Sequence, residues 1–536
     1  MDDDLVRRVR AWIADDPDPD ARRELAALLG RGDEAELADR FRTQLAFGTA
    51  GLRGRLRAGP NGMNRAVVQR AAAGLAAHLG RGRAVVIGYD ARHGSRRFAH
   101  DSAAVLAGAG VRALVLPRAL PTPVLAFAVR RLRADAGVMV TASHNPPQDN
   151  GYKVYLGGPG DDGAQLVPPA DREIEARIAA VGPIGDLPVG DPGSPQGEEL
   201  VDAYVEATAR LSLTGHRDVR IAYTPLHGVG RDTLSAVLAR AGFPPPAVEP
   251  GQAEPDPDFP TVAFPNPEEP GAMDRVMALG EQTGADVVIA NDPDGDRCAA
   301  AVGRRRLRGD ELGVLLADHV LRHRRGLVAT TVVSSTMLSR VAAAHGVPHA
   351  ETLTGFKWIM RAGEGLVYGY EEALGYAVGP DVVRDKDGMS AALLVAELAA
   401  GLRTCGRTLL DRLDELEREH GVHATDQYAV RVDDPSAIDA AMARLRSRTP
   451  AELAGRRVVE SRDLLADGGE GLPPADVLVL ALDAGRVVMR PSGTEPKLKA
   501  YLETVVPVDG DLAAARSRAT RELAALRDAT AAIVGP

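Results

Sequence analysis

The sequence predicts an α/β fold of three related α/β domains and a smaller C-terminal α+β domain. Its 536 residues exceed what one hydrophobic core organises, so several domains are expected. Apolar runs of strand length alternate with helical patterns through residues 41–420, which is typical of α/β units. From residue 421 the pattern changes to strands, a helix near 436–447, two strands around residue 490 and a terminal helix at 511–530. That change indicates a domain of another type.

The first forty residues are expected to be helical. Apolar residues recur at helical spacing in Leu5, Val9 and Trp12, and two Asp-Pro pairs at 16–19 break the pattern. A stretch rich in proline and glycine at 183–198 marks a boundary. Strand-like runs occur at 83–89, 111–117, 136–140, 219–223, 285–290, 327–333 and 366–370. The predicted division is a helical extension at 1–40, domain I at 41–198, domain II at 199–308, domain III at 309–420 and domain IV at 421–536.

Composition excludes several classes of protein. The net charge of −10 gives no overall attraction to nucleic acid or an anionic membrane. The two cysteines form neither a disulfide framework nor a zinc pattern, which fits a reducing compartment. The acidic N-terminus is unlike a signal peptide, and no apolar run reaches the roughly 20 residues of a membrane span. We therefore expect a cytoplasmic protein without nucleic-acid or membrane partners.

Lysine is rare in this chain. Among 64 basic residues only five are lysines: Lys153, Lys357, Lys386, Lys497 and Lys499. An ammonium is a compact charge that can also titrate, which a guanidinium cannot do. The retained lysines are therefore candidates for positions that need these properties. Four of them fall in segments that other features also single out, and Lys386 has the least support.

A serine beside a histidine follows one of the predicted strands. Residues 141–153 read TASHNPPQDNGYK, so Ser143 comes just after the buried run at 136–140. Open α/β sheets place their chemistry at the carboxyl ends of strands. His144 and Lys153 supply two groups that can carry a proton. This segment is the first candidate for a reactive centre.

Three aspartates alternate in a short loop after another predicted strand. Asp292, Asp294 and Asp296 can converge on one hard cation, and Arg297 follows them. An EF-hand would have glycine and glutamate where this loop has Arg297 and Gly303, so that type of site is excluded. Three carboxylates that leave room for a phosphate oxygen favour magnesium.

A third loop has the composition of a phosphate cradle. Residues 490–497 read RPSGTEPK and lie between two predicted strands. Ser492 and Thr494 offer hydroxyl donors, Gly493 permits a turn with inward-facing backbone N–H groups, and Arg490 and Lys497 add positive charge. It is not a Walker loop, because the Gly-Lys-Ser/Thr ending is absent.

Three further segments are weaker by themselves. Glu371 and Glu372 follow a predicted strand and can accept hydrogen bonds from sugar hydroxyls, although a surface turn explains them as well. Lys357 lies in the sequence TGFK, and Arg53 lies in a glycine-rich segment at 47–54. Each becomes informative only beside the other motifs.

Together these parts indicate phosphoryl transfer. A nucleophilic serine near a divalent cation is suited to the transfer of a phosphoryl group. A phosphatase needs no second phosphate site, and a nucleotide-dependent kinase would normally show a glycine-rich nucleotide loop. A separate cradle makes most sense for a substrate that carries one reacting and one non-reacting phosphate.

The motifs at 141–147, 292–297, 369–375 and 490–496 resemble the four signature loops of the α-D-phosphohexomutase superfamily, in the family's order. Segments 47–54 and 354–358 resemble its long phosphoglucomutase and phosphopentomutase branch. The resemblance implies four domains around a central cleft and a mutase that works through a phosphoserine and a sugar bisphosphate. The first guess for its substrates is glucose 1-phosphate and glucose 6-phosphate.

The resemblance also implies roles for individual residues. Ser143 would carry the phosphate, and one phosphoserine oxygen would join Asp292, Asp294 and Asp296 on magnesium. Lys153, or else His144, would be the general acid/base, with Arg53 and Arg297 steadying the transferring group. Substrate would be held by Lys357, Glu371, Glu372, Arg490, Ser492, Gly493, Thr494 and Lys497.

One residue departs from the pattern of many hexose mutases. Ala373 stands where they have a serine two places after the sugar-binding glutamate, Glu371. One hydroxyl contact is lost, so mannose and pentose phosphates stay open as substrates. A metal-dependent sugar phosphatase and a non-catalytic sugar-phosphate sensor are the alternatives of another class. We expect a monomer or a dimer.

Overall fold

The computed structural model describes residues 2–47, 51–432, 436–466, 472–492 and 497–534. The chain forms two compact units. The first unit comprises Met1–Leu307 and Ala373–Cys405, and the second comprises Arg308–Glu372 and Gly406–Pro536. Among the described residues, no helix combines the length and apolar character that crossing a membrane requires.

Three helices form the N-terminal extension, as the sequence predicts. They are α1 Asp3–Asp15, α2 Pro19–Arg31 and α3 Glu34–Phe41. Asp2, Asp18 and Asp33 cap their N-termini by accepting backbone N–H groups. A small apolar core joins the helices through Leu5, Val9, Leu25, Leu28, Leu37, Phe41 and Ala58.

The first sheet belongs to the stretch predicted as domain I. Its strands are β1 Leu52–Arg55, β2 Ala84–Tyr89, β3 Arg112–Val115, β4 Ala136–Val140, β5 Asp149–Leu156 and β6 Ala164–Gln165. Its helices are α4 Arg65–Leu79, α5 Ser95–Gly108, α6 Thr122–Arg131 and α7 Ala170–Ala179. The strand order is β1-β5-β4-β2-β3, with β6 beside β5. Every residue of β2 and β4 is buried, which explains their unbroken apolar sequences.

The second sheet follows the same plan. Its helices are α8 Glu199–Ala209, α9 Gly230–Arg240 and α10 Asp274–Thr283. Its strands are β7 Ile221–Thr224, β8 Ala247–Val248, β9 Val287–Ala290, β10 Ala299–Val302 and β11 Arg305–Arg306. The order is β11-β10-β9-β7-β8, so antiparallel strands extend a parallel core on one side.

Residues 309–420 contribute a third α/β set. It comprises α11 Gly309–Leu321, β12 Leu327–Thr331, α12 Met337–His345, β13 His349–Thr352, α13 Phe356–Ile359, β14 Leu366–Glu371, β15 Gly375–Ala377, α14 Gly388–Arg403 and α15 Leu409–His420. Strands β12, β13 and β14 are parallel and belong to the second unit. Strand β15 and α14 belong to the first unit.

The C-terminal stretch forms an antiparallel sheet with helices, which confirms the α+β prediction. Its elements are β16 Val422–Arg431, α16 Ser436–Ser447, β17 Glu452–Leu453, β18 Arg456–Asp463, β19 Leu478–Leu482, β20 Gly485–Pro491, β21 Lys497–Val506 and α17 Leu512–Val534. The strand order is β16-β21-β20-β19-β18-β17. The segment between β20 and β21 therefore joins adjacent antiparallel strands.

The three α/β stretches share a parallel core of one topology. In each, the first strand in chain order lies between the second and the third: β4-β2-β3, β9-β7-β8 and β14-β12-β13. The repeated order supports the prediction that they are related. The motifs beginning at Ser143, Asp292 and Glu371 all lie at or just past the carboxyl end of the third strand, where such sheets bind ligands.

Candidate active site

Ser143 lies in a buried loop directly after β4. It is 3% exposed and has a φ of 54°, a left-handed conformation that is uncommon for a residue with a Cβ. Its Oγ donates to Asp292 Oδ2 at 2.9 Å and lies 3.1 Å from His144 Nδ1. The loops after β4 and β9 therefore meet at the serine hydroxyl.

The three aspartates of the second loop form a compact carboxylate group. Asp292, Asp294 and Asp296 are each 0% exposed, and one carboxylate oxygen from each lies within 4.8 Å of the others. Asp294 Oδ1 and Asp296 Oδ1 are buried and accept no hydrogen bond from the described residues. Buried carboxylate oxygens without a donor are costly unless a cation or another donor satisfies them. This donor set fits a hard divalent cation.

The carboxyl groups of this cluster differ in pKa, because burial and neighbouring charges act on them to different extents. Burial, followed by the charges of Asp294 and Asp296, raises the pKa of Asp292 well above its ordinary value. Burial also acts to raise the pKa of Asp294, but the adjacent Lys153 ammonium outweighs it and the pKa is lowered. The group therefore concentrates negative charge beside Lys153.

Two lysines pair with the aspartates. Lys153, on β5, lies 2.7 Å from Asp294 Oδ2 and 2.8 Å from Asp296 Oδ2. Burial opposes its charge, but these carboxylates prevail and the pKa of Lys153 is raised. Lys386 lies 3.2 Å from Asp296 Oδ2. The sequence motifs gave Lys386 the least support, and its rarity as a lysine was the one signal that marked it.

His144 is a neutral imidazole in this setting. Burial first, and then the charges of Arg297 and Arg53, lower its pKa well below the ordinary value. Arg297 Nη2 lies 3.5 Å from His144 Nε2, and Arg297 Nη1 pairs with Glu268 at 3.3 Å. Arg53 Nη1 donates to Asn145 in the serine loop at 3.3 Å. The two arginines thus flank the serine loop.

The predicted sugar-binding acids lie in the second unit, at the end of β14. Glu372 Oε2 accepts from Ser334 Oγ at 3.0 Å and from Thr331 Oγ1 at 3.3 Å. Burial, followed by the neighbouring charges of Glu371 and Asp310, raises the pKa of Glu372 to about 7. Lys357 is 8% exposed, and its Nζ lies 5.9 Å from the centre of the Trp358 ring.

The predicted phosphate cradle lies between β20 and β21. Arg490 Nη1 lies 3.4 Å from the hydroxyl of Tyr501, and the Ser492 N–H donates to the carbonyl of Lys497 at 2.8 Å. Arg490, Ser492 and Lys497 are partly exposed. Gly493 and Thr494 lie outside the described residues.

The structure thus brings the predicted residues into two groups. The first unit holds Ser143, His144, Lys153, Arg53, Asp292, Asp294, Asp296 and Arg297, together with Lys386. The second unit holds Lys357, Glu371, Glu372, Arg490, Ser492 and Lys497. The first group combines a serine hydroxyl, three buried carboxylates and a lysine ammonium.

Comparison with known proteins identifies the origin of this arrangement. Four consecutive domain families match the chain: phosphoglucomutase/phosphomannomutase alpha/beta/alpha domain I at 44–183, domain II at 202–305, domain III at 308–419 and the C-terminal domain at 429–510. A Haemophilus influenzae protein named "Probable phosphomannomutase" is 46% identical over 82% of this chain and 93% of its own length.

Two further similarities extend the match. A Schizosaccharomyces pombe protein named "Probable phosphoribomutase" is 34% identical over 94% of both chains. The crystal structure of a phosphoglucomutase/phosphomannomutase family protein from Burkholderia thailandensis has 21% identity and a TM-score of 0.71, covers 92% of this chain and 98% of its own, and shows the fold. The chain belongs to the phosphoglucomutase/phosphomannomutase family and is a phosphosugar mutase, an intramolecular phosphotransferase of the isomerase class.

Proposed function

We propose that this mutase interconverts glucose 1-phosphate and glucose 6-phosphate through a phosphoserine at Ser143 and a sugar bisphosphate. The observation that carries the phosphoserine step is the contact of Ser143 Oγ with Asp292 at 2.9 Å, within a buried group of three carboxylates. A serine hydroxyl held against such a group is placed to accept a phosphoryl group beside a divalent cation. Mannose and pentose phosphates are the alternative substrates.

Magnesium is the cation that we assign to Asp292, Asp294 and Asp296. The two buried carboxylate oxygens that accept no hydrogen bond from the described residues support this choice, as does the all-oxygen donor set. When bound, the metal supplies neutralisation of the charge on the transferring phosphoryl group.

In the first half-reaction the phosphoryl group passes from Ser143 to a hydroxyl of the sugar phosphate. The bond between phosphorus and Ser143 Oγ breaks, and a bond to the sugar oxygen forms. Ser143 Oγ receives a proton from the general acid/base, which then takes up the proton that the sugar hydroxyl loses. We assign Lys153 as the group that holds a proton at Nζ for the serine oxygen, because its pKa is raised by two carboxylates. His144 is less suited to donate a proton, because it is neutral.

The resulting bisphosphate turns around and returns its other phosphate to Ser143. Arg53 and Arg297 provide positive charge for the group in transfer. We assign Glu371, Glu372 and Lys357 to the sugar, and Arg490, Ser492, Gly493, Thr494 and Lys497 to the phosphate that does not react. The guanidinium of Arg490 is suited to that task, because it can donate two hydrogen bonds to one phosphate.

The mechanism is tested by intact mass and turnover of wild type and Ser143→Ala. We expect wild type to carry one phosphate, and the variant to carry none and to lose turnover. A variant that keeps full activity together with an unphosphorylated wild type would contradict the mechanism. Phosphate release that outpaces isomer formation would instead favour the phosphatase alternative.

The sugar is identified by kcat/KM for the 1-phosphates of glucose, mannose, glucosamine and ribose, with magnesium and the matching bisphosphate as activator. The largest value for glucose supports the proposal, and the largest value for ribose assigns the chain to pentoses. A cytoplasmic site of action and a monomeric or dimeric state complete the proposal. Fractionation and light scattering test them.

A further inference from the structure

One arginine outside the predicted site binds the backbone of the serine loop. Arg92 is 4% exposed and lies after β2, in the first unit. Its Nη2 donates to the carbonyls of Ser143 at 2.6 Å and of Asn145. Its Nη1 donates to the carbonyls of Pro146 at 2.9 Å and Asp149 at 3.2 Å. The four N–H groups of the two terminal nitrogens thus meet four carbonyl oxygens of one loop.

A second chain of hydrogen bonds holds the other side of the serine. The Ser143 N–H donates to Thr141 Oγ1 at 2.8 Å, and that hydroxyl donates to Asp90 Oδ2 at 2.6 Å. Asp90 also accepts from Ser95 Oγ at 2.6 Å and from the Arg92 N–H at 3.0 Å. Both the N–H and the carbonyl of Ser143 are therefore fixed by buried partners.

This double attachment explains the conformation of the serine. A φ of 54° is unfavourable for a residue with a side chain and persists only where surrounding contacts impose it. The direction of Ser143 Oγ toward Asp292 depends on that conformation. A small rotation of the loop would move the oxygen away from the carboxylate.

An aromatic ring packs against the guanidinium of Arg92. The Phe259 ring centre lies 4.9 Å from Arg92 Cζ, within range of a cation–π contact. Phe259 is 2% exposed and, like Ser143, has a positive φ, at 48°. It follows Asp258, which pairs with His93 at 2.8 Å. The segment after β8 thereby seals the arginine against water.

We propose that Arg92, covered by Phe259, is a positioning residue that holds the phosphate-carrying serine in its reactive direction without touching substrate. The proposal rests on the proposed role of Ser143. Only a planar fork can reach four divergent carbonyls, because an ammonium has three donors on one atom. Loss of the fork leaves buried carbonyls unpaired and the loop free to rotate.

The test uses Arg92→Lys, Arg92→Ala and a matched control, Arg40→Lys. Arg40 is also buried, pairs with Glu24 and Glu36, and donates to the Ala58 carbonyl, but it lies in the N-terminal extension. We expect Arg92→Lys to lower kcat about 100-fold, the cost of a misplacement of about 1 Å, with KM changed less than about threefold. Arg40→Lys should lower the thermal midpoint and leave kcat of the folded enzyme within about twofold of wild type.

Chemical rescue separates positioning from folding. Methylguanidinium at non-denaturing concentration should restore part of the kcat of Arg92→Ala, and methylammonium should not. If Arg92→Lys keeps wild-type kcat, or if its loss only follows the folded fraction as in Arg40→Lys, the inference is wrong. An unphosphorylated wild type with an active Ser143→Ala would instead overturn the proposed function.

Discussion

The two groups of functional side chains differ in how firmly the protein holds them. In the first unit Ser143 is 3% exposed, the three aspartates are fully buried, and each is tied by hydrogen bonds or ion pairs to other loops. In the second unit the acids at the end of β14 and the described cradle residues, Arg490, Ser492 and Lys497, are partly exposed. Transfer at phosphorus demands fixed geometry, whereas a substrate that must bind in two orientations demands tolerant contacts. The difference in burial between the two groups matches these two requirements.

The largest effect is expected in the buried group. Asp294→Asn should lower kcat by about 10³-fold, because the metal supplies several kcal/mol of charge stabilisation at about 1.4 kcal/mol per decade. It should also abolish the rise in thermal midpoint that magnesium gives wild type. Asp101→Asn is the control, because Asp101 pairs with Arg65 away from the site. An Asp294→Asn enzyme with near-normal kcat and magnesium response would contradict the assignment.

The second largest effect is expected from substitution of Lys153, the residue that we assign as the general acid/base. Lys153→Arg keeps a positive charge but cannot exchange a proton at neutral pH, so kcat should fall by about 10²-fold or more. His144→Gln should cost less than about tenfold, because the imidazole is already neutral. Single-turnover transfer from the phosphoenzyme measures both. A larger loss in His144→Gln than in Lys153→Arg would reverse the two roles.

A substitution in the phosphate cradle should change KM rather than kcat. Arg490→Ala removes charged hydrogen bonds worth about 1.5–3 kcal/mol, so KM should rise about tenfold to 100-fold. kcat should stay within about threefold, because we assign the arginine to the phosphate that does not react. Arg456→Ala is the control in the same domain, since Arg456 pairs with Glu522. A loss confined to kcat would show that the cradle takes part in the transfer step.

Much of the fold was predictable, because each element carries its own signal. The buried run at 136–140 matches β4, and the helical spacing of the first forty residues matches α1, α2 and α3. Ser143 and the three aspartates could be singled out in the sequence because each loop concentrates its polar groups in a few neighbouring positions. The meeting of Ser143 with Asp292, 149 positions away, required the structure.

The sequence could not reveal contacts that side chains make with backbone atoms or with elements that are distant along the chain. Arg92 binds carbonyl oxygens, which every residue has, so no motif marks it. Lys386 is recognised as part of the buried group only from its short distance to Asp296. Glu503 lies on a strand and is buried, and its carboxylate contacts His423 and Ser335. The sequence positions of these three residues do not indicate that they meet. Such contacts depend on topology, which the sequence predicted only in outline.

The smallest expected effect concerns the pH dependence of stability in the second unit. The folded-state pKa of Glu372 is raised to about 7 from an ordinary 4.5, mainly by burial and by Glu371. Between these values the folded carboxyl keeps its proton and the unfolded one loses it. Glu372 therefore makes the free energy of unfolding fall as pH rises from about 4.5 to about 7, and adds no slope above or below.

Glu372→Gln removes this titration, so its thermal midpoint should fall less between pH 5 and pH 7 than that of wild type. Above pH 7 the variant should be the more stable protein, because it buries no carboxylate. The difference should be a few degrees, as expected of the roughly 2 kcal/mol that a pKa raised from 4.5 to about 7 contributes between pH 5 and pH 7. Glu269→Gln, at an acid of the first unit with no part in the proposed site, is the control and should leave the wild-type slope unchanged. Equal slopes in all three proteins would mean that the pKa of Glu372 is not raised in the folded protein.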